Sequence, residues 1–298
     1  MSDFYYAISG DDRQTCRLPT VQTISSLGNI ISGSPPSPLH SYRTCTTLLS
    51  RQILRPDGVQ GLFGAVFGEE EISGEGVALE KLEHVSVLLN AVPHNTKSQV
   101  SKSTTAGLCI YQFHQIYFEH VIPRIIMLLS DKSPPAFRRA AAFTISHMLR
   151  EGNPTLLPVK RSIILDLLHE PLQNTQEDID VLELQQLDQL SPKYKNNLRP
   201  EVALKVLLTL LLNADPSPSF ISELISPILS PLYSLLYHLN KIKTSDPYLK
   251  ESLQNVLVTW GKIVTCSEGL ETLWSIIKAG QKEGWKVDLE GRIYLLPE

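Results

Sequence analysis

The stretch that most constrains this chain is residues 118–150. It reads FEHVIPRIIMLLSD and then KSPPAFRRAAAFTISHMLR. In the first half, Phe118, Ile122, Ile125, Ile126 and Leu129 recur at the spacing of one helix face. In the second half, Phe137, Ala141, Ile145, Met148 and Leu149 do the same. Ser133-Pro134-Pro135 lies between them, and proline ends one helix but fits the first turn of the next. The stretch therefore predicts a helical hairpin. Ala140, Ala142 and Phe143 add a second apolar side to the second helix, leaving a wet stripe through Arg139, Ser146 and Arg150. A helix apolar on two sides belongs inside a stack. Pro123 in the first helix, Asp131 in the turn and Arg138 and Arg139 early in the second make the pattern of a HEAT-type repeat.

That unit recurs. SPLYSLLYHL at 230–239 echoes IPRIIMLL, with Pro231 in the place of Pro123. DPYLKESL at 246–253 echoes PPAFRRAA. Repetition at this scale predicts an all-α fold, an α-solenoid of HEAT/armadillo-like helical hairpins. Around these units the apolar spacing predicts further helices. They cover 48–54, the face Val59, Leu62, Phe63, Val66 and Phe67, the stretch 77–91, and one through Val159 to Leu168 ending at Pro171. Another opens at Pro200, a short one near Ser219, and a last one carries Leu270, Leu273, Trp274 and Ile277. Gly61 and Gly64 are expected to weaken the second of these. Residues 285–295 alternate around Glu290-Gly291 and predict a short C-terminal β-hairpin or extended cap.

Three domains follow. Residues 1–45 are rich in Ser, Thr, Gly and Pro and predict disorder. Residues 46–280 form the repeat domain, and 281–298 the extended tail. Inside the repeat domain, 94–116 reads as an irregular polar insert. Two explanations stand side by side. Residues 100–115 are a retained intron, since codons for Gln99-Val100-Ser101 and for Gln115 can carry splice signals, or they are an ordinary surface insertion.

The 298 residues carry 27 Lys and Arg against 31 Asp and Glu, a net charge of −4 that gives no global pull toward nucleic acid. The four cysteines lie far apart with no CxxC pair, which predicts reduced thiols rather than zinc or a disulfide framework. The N-terminus lacks the pattern of a signal peptide, and apolar runs such as Val206–Leu212 are too short to span a bilayer. The expectation is a chain without an integral membrane segment.

No nucleotide-binding glycine motif, nucleophile elbow or zinc-protease motif is present, so neither a catalytic residue nor a cofactor or metal site is expected. Glu80 and His84 read as a solvent-facing pair, and His147 as a half-buried hydrogen-bonded histidine. Trp260, Trp274 and Trp285 read as core and cap. Arg138 and Arg139 are positioned to meet an acidic partner or a phosphate, or, for one of them, Asp131 or a neighbouring repeat. Residues 176–190 hold Glu177, Asp178, Asp180, Glu183 and Asp188 with no base, which is either a solvated acidic face or a partner patch. With Arg150, the candidate partner-binding residues are Arg138, Arg139, Glu177, Asp178 and Asp180.

Several longer runs carry a resemblance. They are TLLSRQILRPDGVQGLFGAVFGEEE, LEKLEHVSVLL, VIPRIIMLLSDKSPPAFRRAAAFTIS, SPILSPLYSLLYHL and KTSDPYLKESLQNVLVTWGKIV. Together, over roughly residues 47–290, they resemble the C-terminal part of the RNA polymerase II assembly factor Rtp family. Its animal relatives are called transport and Golgi organisation protein 6. The resemblance implies a non-catalytic scaffold that assembles RNA polymerase II in the cytoplasm and serves its nuclear import. The implied partners are polymerase subunits, assembly chaperones or nuclear transport factors, and the implied location is cytoplasmic with shuttling to the nucleus. The animal name implies the alternative, a secretory scaffold that meets coat proteins. Family members are much longer, so the chain resembles a fragment, and the 94–116 insert departs from the family pattern.

Overall fold

The computed structural model describes residues 19–32, 38–67, 77–91, 105–150, 156–173, 198–214, 217–241, 247–279, 285–287 and 293–295, with only the backbone described at 32, 105–113, 279, 286–287 and 293–295. The described chain is helical apart from two short strands, and it divides into two compact units, Met1–Val66 and Phe67–Glu298.

The first unit holds α1 (Thr20–Ser32), α2 (Leu39–Ile53) and α3 (Gly58–Val66), each packed on the other two. Two expectations are corrected here. Residues 20–32 and 39–45 are helical although 1–45 predicts disorder; 1–18 and 33–37 lie outside the described residues. The compact boundary falls between Val66 and Phe67, not near residue 45. The physical reason lies in α1, whose Ile24 and Leu27 are buried. In a Ser/Thr/Gly-rich segment that pair is too sparse to register as an amphipathic pattern, yet it supplies a third wall for α2 and α3.

Gly61 and Gly64 also turn out differently. A Cβ on Gly61 would stand 2.8 Å from Thr20 Cγ2, and one on Gly64 would stand 3.3 Å from Val21 Cγ2. The glycines cost helix propensity but let α1 lie directly on α3. Thr20 Oγ1 donates to Asp57 Oδ2 across the same contact.

The second unit comprises α4 (Leu79–Asn90), α5 (Thr105–Met127), α6 (Pro135–Arg150), α7 (Leu157–Gln173), α8 (Pro200–Asn213), α9 (Pro218–Ile225), a 3-10 turn (Ser226–Ile228), α10 (Leu229–Lys241), α11 (Pro247–Ile263) and α12 (Cys266–Ala279). Their packing has an order. α4, α6, α8 and α11 touch in succession, and so do α5, α7 and α10. The two rows meet through α5 on α6, α6 on α7, α7 on α8, and α10 on α11. This stacking is consistent with an α-solenoid. Short strands Trp285–Val287 (β1) and Ile293–Leu295 (β2) pair antiparallel, Trp285 opposite Leu295 and Val287 opposite Ile293. β1 lies against α10 and β2 against α8.

The predicted hairpin is α5–α6. Phe118, Ile122, Ile125, Phe137, Ala141, Ile145 and Met148 are all buried. Ala140 and Ala142 are buried too, so α6 is covered on two sides. Its wet stripe runs through Arg139 and Arg150 but not through Ser146, which is buried and donates to the Phe143 carbonyl at 2.9 Å. Half-buried Phe143 and His147 take its place, their rings stacked 6.3 Å apart.

The start of α5 and the end of α7 differ from the expectation as well. α5 starts at Thr105, so residues 105–116, expected to be irregular, are helical. The polar run that motivated the expectation lies at 94–104, outside the described residues. Pro123 therefore sits deep within a helix of 23 residues, where it removes one backbone hydrogen bond. In α7, Pro171 does not end the helix, which continues to Gln173 with Pro171 and Leu172 buried. Tertiary burial outweighs the lost hydrogen bond at that last turn.

Apolar runs that individually look too short to span a bilayer join across α9, the 3-10 turn and α10. The combined path, Pro218–Lys241, is 24 residues and apolar enough to cross a membrane by length and composition. Ile221, Leu224, Ile225, Ile228, Leu232 and Leu235 on it are buried within the unit, as in a core helix.

Candidate functional site

The predicted basic residues do not converge. Arg138, half-buried on the first turns of α6, pairs with Asp131 in the turn, Nη1 to Oδ1 3.7 Å. The two side chains are 31% and 62% exposed, so the pair tethers the hairpin loosely and is worth under about 1 kcal/mol. Arg139 is exposed one residue further on, and Arg150 is exposed at the far end of the same helix. Eleven residues of helix separate those two, about 16 Å along the axis. Glu177, Asp178 and Asp180 lie outside the described residues. Glu80 and His84 are both exposed on α4.

The buried polar groups of the second unit gather elsewhere. Lys160 in α7 is buried, with Ile164, Leu168 and Leu172 following it on the same face. Its ammonium donates to Asn90 Oδ1 at 2.9 Å and stands 5.8 Å from the Phe118 ring centre. Asn90 closes α4 and donates back to the Ser86 carbonyl at 2.9 Å. A cation at a helix C-terminus is favoured by the carbonyl dipoles there. Burial nonetheless pushes the Lys160 ammonium below its ordinary pKa. Beside it, Tyr117 donates its hydroxyl to the Leu89 carbonyl at 3.3 Å, and burial pushes that phenol well above its ordinary value. These contacts pin α4, α5 and α7 together. Sequence reading missed Lys160 because a lysine at the start of an apolar run reads as a helix entry.

A second polar seam holds α9. Arg161 forms an ion pair with Glu223 and donates Nη2–H to the Leu149 carbonyl at 3.3 Å. Burial holds the Glu223 carboxyl above its ordinary pKa, against the opposing pull of Arg161. Buried His169 donates Nε2–H to the Leu224 carbonyl at 2.8 Å, and Gln173 donates to the Pro227 carbonyl at 3.2 Å. Trp260 Nε1–H reaches Ser226 Oγ at 3.1 Å. The short helix and the turn after it are held through the Leu224 and Pro227 carbonyls, which no side-chain periodicity announces. Among the described residues no three His, Cys, Asp or Glu side chains gather where a metal ion could sit.

The surface carries a third feature. On α12, Leu270, Leu273, Trp274 and Ile277 are 63%, 43%, 57% and 68% exposed. Trp274, expected as core or cap, thus stands outward. Gly269 faces in, its Cα position close enough that a Cβ would meet Val264 Cγ1 at 3.2 Å. Glu268 accepts from Ser222. The less exposed side of the helix carries Glu268, Gly269, Thr272 and Ile276. Comparison with protein-family models, with curated proteins and with solved structures gives no match.

Proposed function

We propose that this chain is a non-catalytic scaffold of HEAT/armadillo-like repeats acting in cytoplasmic assembly of RNA polymerase II and its nuclear import. The observation that carries the scaffold part is the two-row stacking of α4–α11, in which the echoing segments form α5–α6 and α10–α11. Stacked hairpins of this kind offer long ridges to partners and hold their stability in nearest-neighbour contacts. Polar contacts between helices support the same reading, since Lys160, Arg161 and His169 join helix to helix. The polymerase assignment rests on the likeness of residues 47–290 to the assembly-factor family. Polymerase subunits, assembly chaperones or transport factors are the proposed partners, with Arg139 and Arg150 as exposed cationic contacts.

Affinity purification of the tagged chain from cytosol, followed by mass spectrometry, tests this. Polymerase II subunits are the expected recovery, reduced by Arg139→Glu with Arg150→Glu. Recovery of coat proteins instead would transfer the scaffold to secretory traffic. Substrate turnover by the purified chain would overturn the non-catalytic part.

A further inference from the structure

We propose that Ser133 is a phosphorylation site for a proline-directed protein kinase, and that its phosphate takes Arg138 away from Asp131. Among the described residues four serines precede a proline: Ser133, Ser217, Ser226 and Ser230. Three of them are committed to the fold. Ser217 Oγ caps α9, accepting from the Phe220 N–H at 3.3 Å. Ser226 Oγ accepts from Trp260 Nε1–H at 3.1 Å. Ser230 lies inside α10, where its backbone is helical. Ser133 differs on both counts. It stands in the turn between α5 and α6, outside any helix. Its Oγ is 3.5 Å from Ser130 Oγ, longer than an ordinary O–H···O bond of about 2.5–3.0 Å, so little is lost when the hydroxyl is esterified. Pro134 biases Ser133 toward extended backbone, the form in which a kinase cleft takes its substrate. Ser133 and Pro134 are half-buried, between exposed Asp131, Lys132 and Pro135.

The step is a phosphoryl transfer from ATP. Ser133 Oγ bonds to the γ-phosphorus, the bond from that phosphorus to the β-phosphate oxygen breaks, and ADP leaves. The hydroxyl proton passes to the catalytic aspartate of the kinase. The product is an ester carrying close to two negative charges. α6 begins at Pro135, which makes Pro134 the cap, Ser133 the residue before it and Arg138 the fourth helical residue. Side chains at those last two positions meet across a helix start. The helix dipole and the first-turn N–H groups favour an anion at that end. Arg138 is held there by a 3.7 Å pair with Asp131, whose side chain is 62% exposed. A phosphate dianion makes shorter and stronger bonds to a guanidinium than that pair does. Exposed Lys132, next in sequence, adds a second cation. The loose tether of the hairpin is thereby exchanged for a tight one, at the start of the helix on which α4, α5, α7 and α8 pack.

The test treats the full folded chain with ATP and a purified proline-directed kinase, then maps phosphate by mass spectrometry. The expected result is phosphate on Ser133 with Ser226 and Ser230 unmodified. Thermal melts follow. The treated parent is expected to melt about 2–4 °C above the untreated chain. Ser133→Ala, treated alike, is expected to gain nothing. Arg138→Gln is expected to take the phosphate at Ser133 and still gain nothing. A folded chain that takes no phosphate at Ser133, or takes it only after unfolding in urea, overturns the site. A parent whose melting temperature does not rise, or a rise that Ser133→Ala or Arg138→Gln still shows, overturns the exchange of partners at Arg138.

Discussion

Lys160 reaches across seventy residues of sequence to donate a hydrogen bond to Asn90 Oδ1 at 2.9 Å. A cation from the middle of the second unit thereby closes the last turn of its first described helix. Replacing Asn90 by Leu removes the acceptor while the ammonium stays buried. The expected loss is about 2–3 kcal/mol, the range for a hydrogen bond to a charged group. Adding Lys160→Met should recover most of it, because removing both polar partners is far cheaper than removing one. Urea melts of the two variants and the parent check the coupling.

Gly61 and Gly28 should answer alanine with opposite signs. At Gly61 the new methyl meets Thr20 Cγ2 at 2.8 Å, so α1 must move off α3. A net cost of about 1–2 kcal/mol is expected, overpacking exceeding the gain in helix propensity. At Gly28 nothing stands within 4 Å, and the same change should stabilise by about 0.5–1 kcal/mol. Thermal melts monitored by circular dichroism separate them.

His169 makes stability depend on mild acid. Burial holds its imidazole below the ordinary value of about 6.5, outweighing the Leu224 carbonyl and Asp166, which pull it up. Below that ordinary value the unfolded chain takes up a proton that the folded chain still refuses. Stability from this group is therefore full above about pH 6.5 and falls as the pH drops toward the folded value. The slope can reach at most about 1.4 kcal/mol per pH unit. His169→Gln keeps an N–H for the Leu224 carbonyl and should flatten this part of the profile. Denaturant melts between pH 5 and 7.5 read the difference.

Ala141 and Arg150 lie on the same helix, one buried and one exposed. Ala141→Glu puts a carboxylate among Ala140, Ile145 and the facing helices, at a cost of several kcal/mol, or about that much local opening. Arg150→Ala should shift stability by no more than about half a kcal/mol. Melting temperatures of the two variants decide whether α6 is the buried centre of the second unit.

The sequence by itself determined the helical class, the α5–α6 hairpin and its core face. Those follow from local rules: a 3.6-residue apolar period from Phe118 to Leu149, and the Ser133-Pro134-Pro135 break that ends one helix and opens the next. It determined the exposure of Arg150 for the same reason. The tertiary structure decided what periodicity cannot weigh. Burial by neighbours carried α7 past Pro171, turned Ser146 inward, and took in Lys160 because Asn90 arrives from another helix. The short reach between Gly61 and Thr20 converted a propensity defect into a packing contact. On α12 the pattern Leu270, Leu273, Trp274, Ile277 reads as a core face, yet all four stand exposed. An apolar stripe records that a helix has something to bury. Only the three-dimensional packing decides whether this chain's own body covers it.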